Sequence, residues 1–467
     1  MTATLRFFNT LSRKLEDFEP LGAGQAKLYT CGPTIYDYPH IGNYRTFLFE
    51  DVLRRTLELF GFEVTQVQNL TDVDDRTIQR ANESGLSLRE FTDRYATAFF
   101  EDLATLGIEP AEHYPRATEF VPQMVEIIKR LEEGGHTYRS DGSIYYRIST
   151  FASYGKLSGI RPEENLAGAR IDVDDYDKED ARDFVLWKAP KEGEPVWETE
   201  LGPGRPGWHI ECSAMSMALL GETFDIHCGG VDNIFPHHEN EIAQSEGATG
   251  CELARYWLHA EHLVVEGEKM AKRLGNFFTL RDLTDKGFDP LVVRYLLISV
   301  PYRQRLNFTF DGLHAAEQAT DRIANTIRRL DNTPPVEGAD DVVGIVAGFQ
   351  GDFRAALADD LNTARALAAL HNLLRAVNTA LDDRGIDEAG RRALAQAFSD
   401  ADSVLGVFPR DGEAAIGDDA EIDALVEDRN AARKCRDFAR SDEIRDELAA
   451  RGIVLEDTPH GTVWHRE

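Results

Sequence analysis

Residues Cys31 to Asn43 read Cys-Gly-Pro-Thr-Ile-Tyr-Asp-Tyr-Pro-His-Ile-Gly-Asn, and their punctuation decides the fold. Lys27 to Cys31 is a short β-type run that Gly32-Pro33 breaks. From Tyr44 onward Phe47, Val52, Leu53, Leu57 and Phe60 recur at helical spacing until Gly61 stops the pattern. A second β-type run, Glu63 to Asn69, follows and is closed by the turn and capping residues Thr71-Asp72-Val73-Asp74-Asp75. Strand, helix, strand implies a parallel sheet. The loop in front of the helix then reads as a nucleotide cradle, because unpaired N–H groups at a helix N-terminus and the dipole behind them favour a phosphate. His40 and Asn43 add side-chain donors there.

Working outward, Ser87-Leu88-Arg89-Glu90 is a capping box ahead of a helix to about Leu106, and Thr118 opens another that Gly134-Gly135 ends. Between His136 and Glu198 the α/β pattern loosens into a hairpin at Asp141-Gly142, an acidic loop from Asp172 to Asp183 and a Pro/Gly-rich run. Gly207 to Cys212 returns to a helix start, and Thr223 to His227 is a strand ending in Gly229-Gly230. Beyond Asp289-Pro290 periodic helical runs cover Leu291 to Ser299, Leu313 to Leu330, Val342 to Leu357 and Thr363 to Leu381. Thr333-Pro334-Pro335 with Glu337 to Asp341 is a loop between helices, and Pro409 to Asp423 is an acidic linker. The tail carries helix over Ala424 to Ala450, a strand at Ile453-Val454-Leu455 and a turn at Thr458 to Gly461. The fold class is therefore α/β: a Rossmann-like parallel-sheet domain (1–115 and 199–250) with an insertion (116–198), then an α-helical bundle (311–408) and a small α+β C-terminal domain (424–467) behind the linker (409–423).

The chain carries 82 acidic and 51 basic residues, a formal net charge of -31, and only eleven of its cations are lysine. Self-repulsion on this scale destabilises a compact state in dilute buffer, whereas at 1 M salt the screening length is only ~3 Å. A salt-rich cytoplasm, a halophilic setting, is the expected home. Cys31, Cys212, Cys228, Cys251 and Cys435 are odd in number and widely scattered, which argues against a disulfide framework and for metal or catalytic use in a reducing cytosol. No apolar stretch approaches eighteen residues and no signal pattern opens the chain, so the reading is cytoplasmic, without a membrane.

Two clusters carry chemistry. In Pro236-His237-His238-Glu239-Asn240-Glu241 a helix begins, so His237 and Glu241, four apart, share one face and can grip an ion. Zinc prefers imidazole and thiolate with an occasional carboxylate, and Cys31 and Cys212 are the natural partners, with His227, Cys228 and His238 as alternatives and buried inert thiols as the competing reading. Glu268-Lys269-Met270-Ala271-Lys272-Arg273-Leu274-Gly275-Asn276 places three positive charges in five residues. Such a loop can close over a triphosphate and stabilise charge on departing pyrophosphate, or simply be a solvated basic turn.

Together these pieces resemble the class I aminoacyl-tRNA synthetases, and among them the cysteinyl-tRNA synthetase family, over essentially the whole chain. His40-Ile41-Gly42-Asn43 looks like the family's His-Ile-Gly-His motif, Lys269-Met270-Ala271-Lys272-Arg273 like its Lys-Met-Ser-Lys-Ser loop, and Gly207 to Ser213 and Phe235 to Ser245 match segments peculiar to the cysteine enzyme. The resemblance implies a zinc ion on Cys31, Cys212, His237 and Glu241. It implies ATP, with Mg2+, bound by His40, Gly42, Asn43, Lys269 and Lys272, and an L-cysteine pocket lined by Thr71, Trp208, His227 and Asp232. It makes residues 251–310 the phosphate-loop and tRNA stem-contact region and 424–467 the anticodon-binding domain, where Arg433, Phe438, Asp442 and Asp457 would read tRNA(Cys). A monomer is expected.

The sequence departs from the family pattern where Asn43 replaces the second motif histidine, Ala271 and Arg273 replace both motif serines, and Phe438 stands for a frequent tryptophan. Two other functions compete. A ligase that joins activated cysteine to an amino-sugar acceptor would need no arginine-rich tail, and a non-catalytic, zinc-stabilised RNA-binding protein would not need His40, Lys269 and Lys272 together.

Overall fold

The computed structural model describes residues 4–160, 182–337, 342–409, 418–458 and 461–466. The acidic loop, the linker core, the segment 338–341 and the residues Pro459 and His460 of the last turn thus lie wholly or mostly outside the described residues. The chain divides into two compact units, one comprising Met1–Pro290, Leu297–Thr309 and Ala355–Ala364, the other Leu291–Leu296, Phe310–Arg354 and Arg365–Glu467.

The first unit opens with an antiparallel hairpin, β1 (Arg6–Asn9) and β2 (Lys14–Asp17). Strand β3 (Gln25–Thr30), helix α1 (Ile41–Leu59) and strand β4 (Glu63–Gln68) make the expected parallel unit, followed by α2 (Asp75–Ser84), α3 (Leu88–Thr105) and α4 (Val121–Glu133). An antiparallel sheet of β5 (Thr137–Ser140), β6 (Ser143–Tyr146), β7 (Phe184–Lys188) and β8 (Arg205–Pro206) interrupts. Its hairpin turns at Asp141 and Gly142, both at positive φ (45° and 78°), the geometry a two-residue Asp-Gly turn favours. Then α5 (Trp208–Leu220), β9 (Phe224–Gly230), α6 (Glu239–Thr249) and β10 (Ala254–Ala260) complete a parallel sheet of order β10-β9-β3-β4.

In that sheet β3 has β4 on one side and β9 on the other, so the strand order reverses beside it. A reversal leaves a crevice beyond the carboxyl ends of the two strands, where α/β sheets bind ligands. Both sheet faces are covered, and the pleat sorts neighbouring side chains: Leu28 and Ile226 pack with Phe49, Leu53 and Leu57 of α1, while Tyr29 packs with Ile210 and Met215 of α5. The unit continues through β11 (Leu263–Val265), β12 (Glu268–Lys269), α7 (Leu280–Thr284), α8 (Pro290–Ile298, whose middle belongs to the second unit) and β13 (Leu306–Phe308), the strands pairing in the order β12-β11-β13.

The second unit is built from α9 (Phe310–Asn332), α10 (Val343–Ala358), α11 (Thr363–Asp383), α12 (Glu388–Leu405), α13 (Asp418–Lys434), α14 (Phe438–Ala450) and the hairpin β14 (Ile453–Thr458) and β15 (Gly461–Arg466). Among the described residues no helix is long and apolar enough to cross a membrane.

Several boundaries differ from the sequence reading. Helix α1 starts three residues earlier than Tyr44, because His40 and Asn43 form a reciprocal capping box. Thr118 does not open α4; its N–H and hydroxyl donate to Asp72 at 2.9 and 2.7 Å, which holds it in a separate single turn. The insertion's sheet reaches Pro206 rather than ending at 198, held by Lys188 and the buried Arg205, which both pair with Asp75. The parallel sheet likewise runs past residue 250, since its fourth strand is β10. Helix α12 and strand β15 have no counterpart in the sequence reading.

Candidate active site

Cys31 directly follows β3, and its N–H donates to Cys228 O of β9 at 3.2 Å, so the first donor stands at the strand reversal. Gly32 comes next because the chain there presses on the end of β4: a Cβ at Gly32 would lie 1.8 Å from Asn69 O. Cys212 comes from the second turn of α5, His237 from the short helical turn Ile234–His238 that leads into α6, and Glu241 from the first turn of α6. The ligand atoms of Cys31, Cys212, His237 and Glu241 lie within 4.8 Å of one another. A four-coordinate zinc site with bonds of 2.0–2.3 Å has edges of roughly 3.3–3.8 Å, so small side-chain shifts suffice.

Two details fit a cation. Glu241 Oε1 lies 3.0 Å from His237 Nε2, yet that oxygen, fully buried, receives no directed hydrogen bond. Once the His237 proton is displaced, its Nε2 and this oxygen are two acceptors facing one region, which a shared cation would satisfy. Three of the four donors are also braced from behind by a histidine, as metal ligands usually are. His209 Nδ1 sits 2.9 Å from His237 Nδ1, His227 Nε2 sits 2.9 Å from Glu241 Oε2, and Cys31 Sγ lies 3.3 Å from His238 Nε2. His238 continues to His259 at 2.8 Å and His259 to the Thr10 hydroxyl at 2.8 Å.

The electrostatics agree. The facing thiols share a hydrogen bond that pushes Cys31 up and Cys212 down to about 6. Burial disfavours charge on Glu241, but His227 and His237 outweigh it and hold the carboxyl down to about 2. Burial likewise opposes charge on His237, but Glu241 and Cys212 push it up to about 10. Burial and neighbouring histidines hold His238 well down, and burial takes His259 down to about 3. The site is thus rich in negative donors with displaceable protons.

The alternative histidines also converge: Cys31, His227, His238 and Glu241 meet the same 4.8 Å limit. His227, His238 and Glu241 are all 0% exposed, which leaves that set no open face. In the first set His237 stacks at 4.3 Å under Trp208, itself 37% exposed, so this set borders the surface.

At the other end of the stretch His40 is the N-cap of α1. Asn43 N–H donates to His40 Nδ1 at 3.2 Å and His40 N–H to Asn43 Oδ1 at 3.0 Å. A Cβ at Gly42 would stand 2.9 Å from the His40 ring and 3.2 Å from Met270 Cε, so only glycine lets the basic loop come this close. That loop is tied in by Ile41 N–H donating to Phe278 O at 2.9 Å. Lys272 reaches Asp37 at 2.6 Å.

The pocket residues divide. Thr71 braces the 33–35 turn, donating to Pro33 O at 3.1 Å and accepting from Ile35 N–H at 3.0 Å. Trp208 covers His237. Asp232 is exposed and acts electrostatically on His40. His227 departs from the expectation of a pocket wall: wholly buried, it stacks on Trp257 at 4.5 Å and braces Glu241. Asp37, His209 and His259 have no place in the sequence reading of this site, and His238, there an alternative metal ligand, stands behind Cys31. Residue type alone carries no signal for support through a neighbour, although His209 adjoins Trp208 in the matched segment.

Comparison with known proteins agrees with this geometry. Residues 17–318 match the model of the tRNA synthetases class I (C) catalytic domain, 352–409 the DALR domain, and 417–464 the cysteinyl-tRNA ligase anticodon binding domain. The chain is 52% identical over 464 residues to the cysteine–tRNA ligase of Solibacter usitatus, covering 99% of this chain and 100% of the relative. The corresponding enzyme of Koribacter versatilis is 47% identical over 493 residues, again at 99% and 100% coverage. The chain belongs to the cysteine–tRNA ligase family. Methionyl-tRNA synthetase of Mycobacterium tuberculosis, solved with methionyl-adenylate, shares the fold at TM-score 0.59 and 18% identity, over 82% of this chain and 90% of that one.

In the family's anticodon-binding region, Ile422, Val426, Ile444, Leu448, Ile453 and Trp464 form a small core. Phe438, the first residue of α14, is 64% exposed. Arg433 lies in the last turn of α13, and Asp442 pairs with Arg445 at 3.1 Å. Asp457 lies on β14, its side chain outside the described residues.

Proposed function

We infer that this chain activates L-cysteine with ATP and transfers it to the 3' end of tRNA(Cys). The observation that carries the reading is the thirteen-residue stretch itself, which begins at a buried donor of a cluster of two thiols, an imidazole and a carboxylate and ends at a capped helix N-terminus facing a basic loop. In the first step the cysteine carboxylate attacks the α-phosphate, and pyrophosphate leaves. His40, Gly42 and Asn43 hold the phosphates at the start of α1, and Lys269 and Lys272 stabilise the pyrophosphate side, with Mg2+ accompanying the ATP. In the second step the terminal ribose hydroxyl of the tRNA takes the cysteinyl group. Positioning and charge stabilisation carry both steps, and no protein nucleophile is needed.

Cys31, Cys212, His237 and Glu241 would hold zinc. A bound zinc ion offers a soft partner to the substrate thiolate and a poor one to a serine hydroxyl. Shape alone separates near-isosteres by only ~1–3 kcal/mol, so this donor set supplies the selectivity. Trp208, Thr71 and Asp232 would line the amino-acid side.

In the tail, Phe438 and Arg433 offer a stacking ring and a cation for unpaired bases, with Asp442 and Asp457 as acceptors; equal binding of transcripts with and without the cysteine anticodon would remove that assignment. The net charge of -31 supports a salt-rich interior, a reading that activity falling steadily with added potassium chloride would end. A cysteine ligase for an amino-sugar acceptor leaves this tail without a task.

The deciding experiment is cysteine-dependent ATP–pyrophosphate exchange with zinc present, in the wild type and in Cys212→Ser. The expected result is exchange in the wild type that serine does not support, and a loss of at least ~100-fold in the variant together with its bound zinc. A wild type without exchange overturns the function.

A further inference from the structure

Of the three cations in the basic loop, Lys269 and Arg273 make no ion pair among the described residues, although the chain is strongly acidic. Lys272 does: its Nζ is 2.6 Å from Asp37 Oδ2 and 4.9 Å from the Phe277 ring centroid. Asp37 lies three residues before His40, in the loop that leads into the phosphate-binding end of α1. The same Oδ2 accepts from Arg80 at 3.0 Å, while Oδ1 accepts the N–H of Tyr38 at 3.0 Å. Partial burial works against the charge, but Lys272 and Arg80 hold the Asp37 carboxyl below its ordinary value.

The two cations are not held alike. Arg80 also donates to Tyr36 O at 3.3 Å and lies 4.9 Å over the Tyr36 ring, so it is fixed to the loop by three contacts. Lys272 sits on a loop braced by Ala271 N–H donating to Asn276 Oδ1 at 2.8 Å, and its ammonium has one carboxylate partner. It is 61% exposed against 26% for Asp37. An exposed pair of this kind is weak and exchangeable.

We propose that Asp37 is a positioning residue that parks Lys272 beside the His40 loop and competes with the ATP triphosphate for its ammonium, while Arg80 neutralises Asp37 once Lys272 has left. The inference rests on Lys272 serving the phosphates, as read above. Without Arg80, the departure of Lys272 would strand a bare carboxylate next to incoming phosphate. With it, the lysine moves from one anion to a stronger one and no like-charge repulsion develops. The parked position also keeps the loop near its working place, so closure costs a short side-chain swing rather than a search.

The test is a pair of variants whose effects run in opposite directions. Asp37→Asn keeps the acceptor for Tyr38 N–H and removes the competing charge; the KM for ATP in cysteine-dependent exchange falls about two- to fivefold, the scale of one exposed ion pair. Arg80→Gln leaves Asp37 to Lys272 alone, and the KM for ATP rises by a similar factor. The double variant resembles Asp37→Asn. Thermal unfolding of each variant is measured alongside, and equilibrium binding of ATP in the absence of cysteine checks that the shifts are in affinity. Shifts in the same direction, no shift in either variant, or a rise in Asp37→Asn overturns the proposal, since a purely structural role harms both variants alike. A wild type without exchange overturns the function above instead.

Discussion

The two ends of one thirteen-residue stretch answer to opposite physics. At Cys31 the chemistry is buried: Glu241 is 0%, His237 and Cys212 2%, and Cys31 9% exposed, and three of the four donors have a histidine behind them. At His40 it is open, and the cation that matters most is a solvated lysine on one exchangeable contact. A low-dielectric cluster with fixed donors discriminates, because a wrong atom cannot be accommodated by water or by movement. A solvated loop captures and releases, because its charges are screened and cheap to move. On the proposed roles, selection and turnover fall to separate environments joined by one segment.

That contrast can be broken first at the loop. Lys272→Ala should lower kcat of pyrophosphate exchange by ~10²–10³, the usual loss when one group aimed at developing charge is removed, while zinc content stays at one per chain. Equal loss of zinc would mean that the two ends are not separable.

Legibility in the sequence follows the same division. The convergence of Cys31, Cys212, His237 and Glu241 is legible because metal ligation restricts residue type, and an i, i+4 pair fixes which face two groups share. Strand β3, helix α1 and strand β4 were readable from period and punctuation, and so were the Ser87 box and the Asp141-Gly142 turn. Thr118 was misplaced since its capping hydroxyl has a partner 46 residues away in Asp72, and local pattern cannot reveal a tertiary acceptor. Helix α12, with Asp387 as N-cap and Gly406 at its end, was passed over in a stretch rich in alanine, where helical period is faint. His209 and Asp37 were not read as site residues because each works on a partner distant in sequence, His237 and Lys272.

The second test sharpens the buried side. His209→Ala removes the group 2.9 Å from His237 Nδ1 and leaves every donor in place. Loss of such a support typically costs ~10–100-fold in metal affinity, so competition with a chromophoric chelator should show zinc held that much more weakly, with the KM for ATP unchanged. Unaltered affinity would mean that burial, not the histidine behind it, orients His237.

The smallest effect lies between the two ends, at Asn43. Its side-chain oxygen accepts His40 N–H while its own N–H donates to the His40 ring, so the residue that departs from the family motif has a structural task at the helix start. Asn43→Ala removes one half of the box and should cost about 1 kcal/mol or less in stability. Asn43→Asp keeps the acceptor and should leave unfolding unaltered, yet it places a carboxylate where phosphate is expected and should raise the KM for ATP several-fold. If neither variant loses stability and both leave ATP untouched, the Asn43 side chain contributes neither to the cap nor to the phosphates. If Asn43→Asp alone weakens ATP, one side chain both starts α1 and faces the phosphates, and the asparagine serves as a neutral cap that the nucleotide tolerates.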